Sequence, residues 1–157
     1  MRNTLLLAST LALLAPAAFA CETWTVGDLS VPHAWARATI GADRPAVFYV
    51  EVTNKGSADD ALIGIKTPIA SMPMLHETVV TDGVASMPHA MSVGVPAGAT
   101  TELTPGGFHG MLMGLTAALK EGDSFPVTLT FKRAGDITID VEVVSMRGTG
   151  PSCEDGN

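Results

Sequence analysis

Strict alternation of apolar and polar residues near the end of the chain does most to limit what it can fold into. Val127, Leu129 and Phe131 alternate with Thr128, Thr130 and Lys132, and Ile137, Ile139, Val141 and Val143 alternate with Thr138, Asp140 and Glu142. A period of two gives each stretch one buried and one wetted face, the mark of strands in an antiparallel sheet. Upstream, short runs of Val, Ile, Thr, Leu and Phe recur, cut at close intervals by Gly, Pro, Asn and Asp. This pattern predicts an all-β sandwich or barrel. Strands are expected over 33–39, 46–53, 61–66, 74–81, 84–87, 100–103, 111–115, 125–132 and 137–145. Segments 41–44, 54–59 and 132–136 have the composition of surface connections, the last as a hairpin loop. The segment 115–120, LTAALK, has helical propensity but supports no more than about one turn.

The opening MRNTLLLASTLALLAPAAFA combines one base, an apolar run from Leu5 to Leu14, Pro16 and a small-x-small ending at Ala18 and Ala20. It reads as a secretory signal peptide, too short in its apolar part to span a bilayer. The expected organisation is therefore a signal over 1–20, one domain over 21–146 and a short tail over 147–157 without a core-forming pattern. An exported, periplasmic location follows, in which a disulfide between Cys21 and Cys153 is permitted. Lipid attachment at Cys21 is the alternative. It is disfavoured by Ala18 and the bulky Phe19, which stand where lipoprotein signals usually carry Leu and a small residue. The formal charge of −7 becomes one unit more negative when Arg2 is removed with the signal, which argues against nucleic acid as a partner.

The residues that carry chemistry are His76, Met87, His109 and Met111, spaced H-x10-M-x21-H-x-M. Two imidazoles and two thioethers suit Cu(I) better than Zn(II), Mg(II) or Ca(II). Neither of the two cysteines falls among them, which disfavours a blue-copper electron-transfer centre. Asp82-Gly83 lies between two apolar runs and is a strong signal for a two-residue hairpin. An ideal turn there opposes Thr81 to Val84, Thr78 to Met87 and His76 to His89, and makes Met87 a diagonal neighbour of His76. Pro105-Gly106-Gly107 forces a further turn. The strand after it puts His109, Met111 and Met113 on one face, with Phe108 and Leu112 on the other. His89 and Met113 are accordingly auxiliary candidates. His33 reads as an ordinary surface or core histidine, Met72, Met74 and Met146 read as packing residues, and Met91 reads either as packing or, with His89, as a second, weaker metal contact.

Together with HAWARAT at 33–39, LHETVVTDGVASM at 75–87, VPAGATTELTPGGFHGMLMGL at 95–115 and LKEGDSFPVTLTF at 119–131, this spacing resembles the PCuAC family of periplasmic copper chaperones. The likeness runs from about residue 31 to 146. It implies a cupredoxin-like β-sandwich, Cu(I) ligation by His76, Met87, His109 and Met111, and delivery of copper toward a respiratory oxidase centre. A Sco-type protein or an oxidase subunit would be the recipient. The competing reading is a β-sandwich interaction module in which the His and Met residues only pack. Catalysis is disfavoured, because neither a Ser-His-Asp set nor a cysteine nucleophile stands out.

Overall fold

The computed structural model describes residues 22–151. These form thirteen strands and no helix: β1 (Trp24–Val26), β2 (Leu29–Val31), β3 (Ala34–Arg37), β4 (Ala46–Asn54), β5 (Asp60–Lys66), β6 (Ala70–Glu77), β7 (Val79–Thr81), β8 (Val84–Ser86), β9 (Val93–Val95), β10 (Thr100–Leu103), β11 (Phe108–Leu115), β12 (Ser124–Phe131) and β13 (Gly135–Val144). All nine expected strands are present, β10 with the expected bounds and the others with shifted ends. The expected strand over 74–81 is two strands, because at Thr78 the chain changes partners. Its N–H donates to the Gly107 carbonyl (3.0 Å) just before β7 leaves to pair with β8. The short strands β1, β2 and β9 were not foreseen. Segment 115–120 contains the end of β11 and an irregular turn.

Strand β4 organises the sheet. Along one edge it pairs antiparallel with β2 and then β3, and along the other with β10 and then β11. From β3 the path continues through a parallel pairing to β13, then antiparallel to β12, β5 and β9. On the opposite side β11 carries β6. The path folds over on itself, so that the inward faces of both layers share one core containing Val31, Phe48, Val52, Leu62, Leu112, Val127, Leu129, Ile139 and Val141, each at most 1% exposed. Every second residue of β12 and of the latter part of β13 is buried, as the alternation predicts.

Gly110 decides how closely β11 can lie on β4. A Cβ there would stand 2.5 Å from Cδ1 and Cζ of the fully buried Phe48 ring and closer still to Cε1. Only glycine admits the ring at this point. The same strand carries His109 before the glycine and Met111 after it, so this close approach fixes both outward side chains at once.

The loop 54–60 is held by two acidic or amide side chains. Asn54, 2% exposed, donates from Nδ2 to the carbonyls of Ala58 and Val95 (both 3.0 Å), while its Oδ1 accepts the Gly56 N–H. Asp60 accepts N–H groups from Ala61, Arg133 and Ala134. The tail begins in an ordered way, with the Gly148 carbonyl accepting from Arg37 Nε at 2.9 Å.

Candidate metal centre

Two features of the backbone assemble the site. At the Asp82-Gly83 turn both central residues have positive φ, 51° and 77°, as a type I′ hairpin requires. Thr81 then faces Val84, and a single further bridge joins His76 to His89. On its other edge β6 pairs with β11 in a register that puts His109 directly opposite His76, Met111 opposite Met74 and Met113 opposite Met72. Cross-strand partners share a face. The outward side of this ribbon therefore carries His89, His76 and His109 in a row across three adjacent segments, with thioether pairs continuing from it along β6 and β11.

Hydrogen bonds orient two of the imidazoles. His76 Nδ1 lies 2.8 Å from the Met87 carbonyl, and His109 Nδ1 lies 3.1 Å from the Gly107 carbonyl. A carbonyl oxygen only accepts, so each neutral ring carries its proton on Nδ1 and presents a lone pair at Nε2. Both Nε2 atoms are buried and have no hydrogen-bond partner. A buried acceptor left unpaired is costly, by about 1–3 kcal/mol. Carbonyl-anchored Nδ1 with a free Nε2 is also the usual state of a metal-ligating histidine.

The ring spacing has the right size for a shared ion. The His76 and His109 centroids are 6.0 Å apart, as are those of His76 and His89. With a metal–nitrogen bond of about 2.0 Å and a further ~1 Å to the ring centre, one ion between two imidazoles separates their centroids by up to about 6 Å. Among the described residues no three His, Cys, Asp or Glu side chains are grouped to hold a metal ion. The row of imidazoles thus does not supply a three-nitrogen set, and Met87 and Met111 are soft side chains that the backbone brings to the same pair. Met111 sits two residues beyond His109 on the same face. The Met87 side chain is 52% exposed, and its carbonyl is the group that anchors His76. Burial is uneven: His109 is only 3% exposed although it faces away from the core, whereas His89 is exposed.

The match to a family model extends over residues 29–143, and that family is described as "Putative lipoprotein LpqE-like". The chain belongs to the LpqE-like family. It is 39% identical over 121 residues to the "Putative lipoprotein Lxx21020" of Leifsonia xyli subsp. xyli, an overlap of 76% of this chain and 72% of that protein. Three solved structures are similar across most of their length. The apo PCuAC domain from PmoF1 has 27% identity and a TM-score of 0.68, covering 79% of this chain and 99% of that one. The copper-bound PCuAC domain from PmoF2 has 26% identity and a TM-score of 0.68, covering 79% and 98%. The CuI form of DR1885 from Deinococcus radiodurans has 29% identity and a TM-score of 0.60, covering 82% and 85%. This LpqE-like chain therefore has the cupredoxin-like sandwich of PCuAC domains, as the sequence resemblance implied.

Elsewhere in the LpqE-like domain the remaining candidates separate. His33 Nε2 lies 3.8 Å from Glu51 Oε2, an ordinary partner. Met146 is exposed and not a core residue as expected. Met72 and Met74, read from the sequence as packing, belong to the outward face of the ribbon. The β6–β11 register sets them opposite Met113 and Met111, a pairing hidden in the sequence because the two strands are some thirty residues apart in the chain. Cys21 and Cys153 lie outside the described residues.

Proposed function

We propose that this protein carries one Cu(I) ion between His76, Met87, His109 and Met111 and releases it to another exported protein by ligand exchange. The observation that carries the reading is the pair of buried, unpartnered Nε2 atoms on two rings 6.0 Å apart, each with Nδ1 committed to a carbonyl. Two neutral thioethers complete a soft set that favours Cu(I) over hard divalent ions and carries no proton to displace on loading. His89, exposed beside His76, is an auxiliary contact at the mouth, and Met113 lies one register beyond Met111.

The copper-bound PmoF2 domain and the CuI form of DR1885 support copper as the cargo. They also support a carrier without catalysis, since nothing in the set requires the ion to change oxidation state. Recipients of the stated chemistry include a Sco-type thiol protein or an oxidase subunit, to which the ion would pass through the exposed Met87 side. Export rests on the character of residues 1–20 and on relatives named as lipoproteins. Mass spectrometry of the mature protein decides the state of Cys21: acyl mass means lipid attachment, and a loss of two hydrogens that reduction restores means the disulfide with Cys153.

The test of copper carriage is an anaerobic Cu(I) competition titration against a chromophoric chelator. The native protein should withdraw one tightly held equivalent, and His109→Ala should lose it. No withdrawal by the native protein, or equal withdrawal by the variant, would refute the assignment.

A further inference from the structure

Beyond the four-ligand set, the β6–β11 ribbon holds a row of methionines outside the hydrophobic core. Met74 faces Met111 and Met72 faces Met113 across consecutive same-face registers, in line with the His76–His109 pair. A methionine is most often core filler. These four are not: none belongs to the hydrophobic core or to the partly buried residues packed against it, and Met72 is 53% exposed. The core side of the same strands is supplied by Leu75, Gly110 and Leu112, which are buried.

Directly opposed residues have Cβ atoms about 5 Å apart, and successive same-face pairs are about 7 Å apart along the strands. Unbranched methionine side chains span such distances readily. Thioethers are neutral, soft and weakly hydrated, so a cluster of them at a surface has one class of metal ligand suited to it, a soft monovalent d10 cation.

We infer that Met72, Met74 and Met113 form a second, all-thioether Cu(I) position beside the first, with Met111 between the two. The inference rests on the copper-carrier reading and extends it from one ion to two. Because Met111 stands next to both positions, an ion can shift by one register along the ribbon while keeping a sulfur ligand throughout. The all-sulfur position lacks imidazole, lies nearer solvent and fills beside an existing positive charge. It is therefore the weaker of the two and the last to load.

The test uses the full mature chain and Cu(I) alone, under reducing, anaerobic conditions, titrated against a strong and then a weak chelator. The native protein should retain one equivalent against the strong chelator and two against the weak one. A Met72→Leu, Met74→Leu variant, which preserves side-chain volume and the sheet, should retain the first equivalent with its affinity within about threefold and lose the second. A native protein that saturates at one equivalent, or a double variant that still binds two, would overturn the inference. Failure of the carrier reading itself would look different, since the first equivalent would then be missing or insensitive to His109→Ala.

Discussion

Replacing Gly110 with alanine tests whether the close approach of β11 to β4 is what fixes the metal face. The new methyl would sit 2.5 Å from two atoms of the Phe48 ring and closer to a third, where ordinary contact begins near 3.4 Å. Phe48 is fully buried and cannot yield without moving the layer beneath it. Overpacking of this kind costs about 1–3 kcal/mol, and a displacement of an ångström or more against an immobile ring belongs at the upper end, about 3 kcal/mol. For a domain of this size that lowers Tm by roughly 10 °C. Strand β11 should also shift outward and carry His109 and Met111 with it, so Cu(I) affinity should fall at a temperature where the variant is still folded. Thermal unfolding by circular dichroism and chelator competition at 15 °C measure the two effects. The contact itself is isolated by a double-mutant cycle with Phe48→Leu, whose smaller side chain should return part of the lost stability in the Gly110→Ala background. Gly94→Ala, where a Cβ meets nothing within 4 Å, serves as the control. A Gly110→Ala protein with unchanged Tm, or one that Phe48→Leu does not help, would mean that the ring contact does not set the spacing of β11 and β4.

The hairpin that leads to Met87 gives a contrasting outcome: Gly83→Val places a β-branched residue at a φ of +77° in an exposed two-stranded loop, so global Tm should change little while Cu(I) affinity drops measurably in the same titration. Asn54→Ala removes a buried hydrogen bond to the Val95 carbonyl and two part-buried ones, to the Ala58 carbonyl and from the Gly56 N–H, and denaturant unfolding should register a loss of about 2–4 kcal/mol. Burial of the Asp60 carboxyl, the largest single influence, pushes its pKa up, but three backbone N–H donors and the Arg133 charge together hold it below the ordinary value. A lowered folded-state pKa means this stabilisation is complete above the unfolded pKa, near 4, and is lost as pH falls through the folded value. The acid limb of a Tm-against-pH curve should accordingly flatten in Asp60→Asn. Met111→Ala should weaken the first Cu(I) equivalent at least about tenfold, or 1.4 kcal/mol, with little change in apo stability because the side chain lies outside the core; an unchanged dissociation constant would remove Met111 from the set.

What could be read from the sequence follows from how local the determining chemistry is. Asp82-Gly83 dictates positive φ at two adjacent residues, so the turn, its register and the neighbour relation of His76 and His89 were all available without the fold. Alternation made β12 and β13 equally plain. The strands β1, β2 and β9 have three residues each, too few for a period to appear, and only their pairing partners define them. The spacing of His109 from His76 suggested a shared site, but their direct opposition depends on β11 lying beside β6 on the outer edge of β4. Nothing local encodes that arrangement. The same nonlocal register turns Met72 and Met74 from presumed filler into outward partners of Met113 and Met111, and it buries His109 on a face that the strand pattern marks as outward.

One Cu(I) held between two imidazoles and two thioethers has a mixed nitrogen and sulfur shell, which X-ray absorption of the mature protein loaded with one equivalent of Cu(I) reads out. The expected spectrum has two nitrogen scatterers at about 2.0 Å and two sulfur scatterers at about 2.3 Å, with a nitrogen lost in His109→Ala and a sulfur lost in Met111→Ala. A shell of nitrogen and oxygen alone, or a spectrum that neither substitution changes, would contradict it.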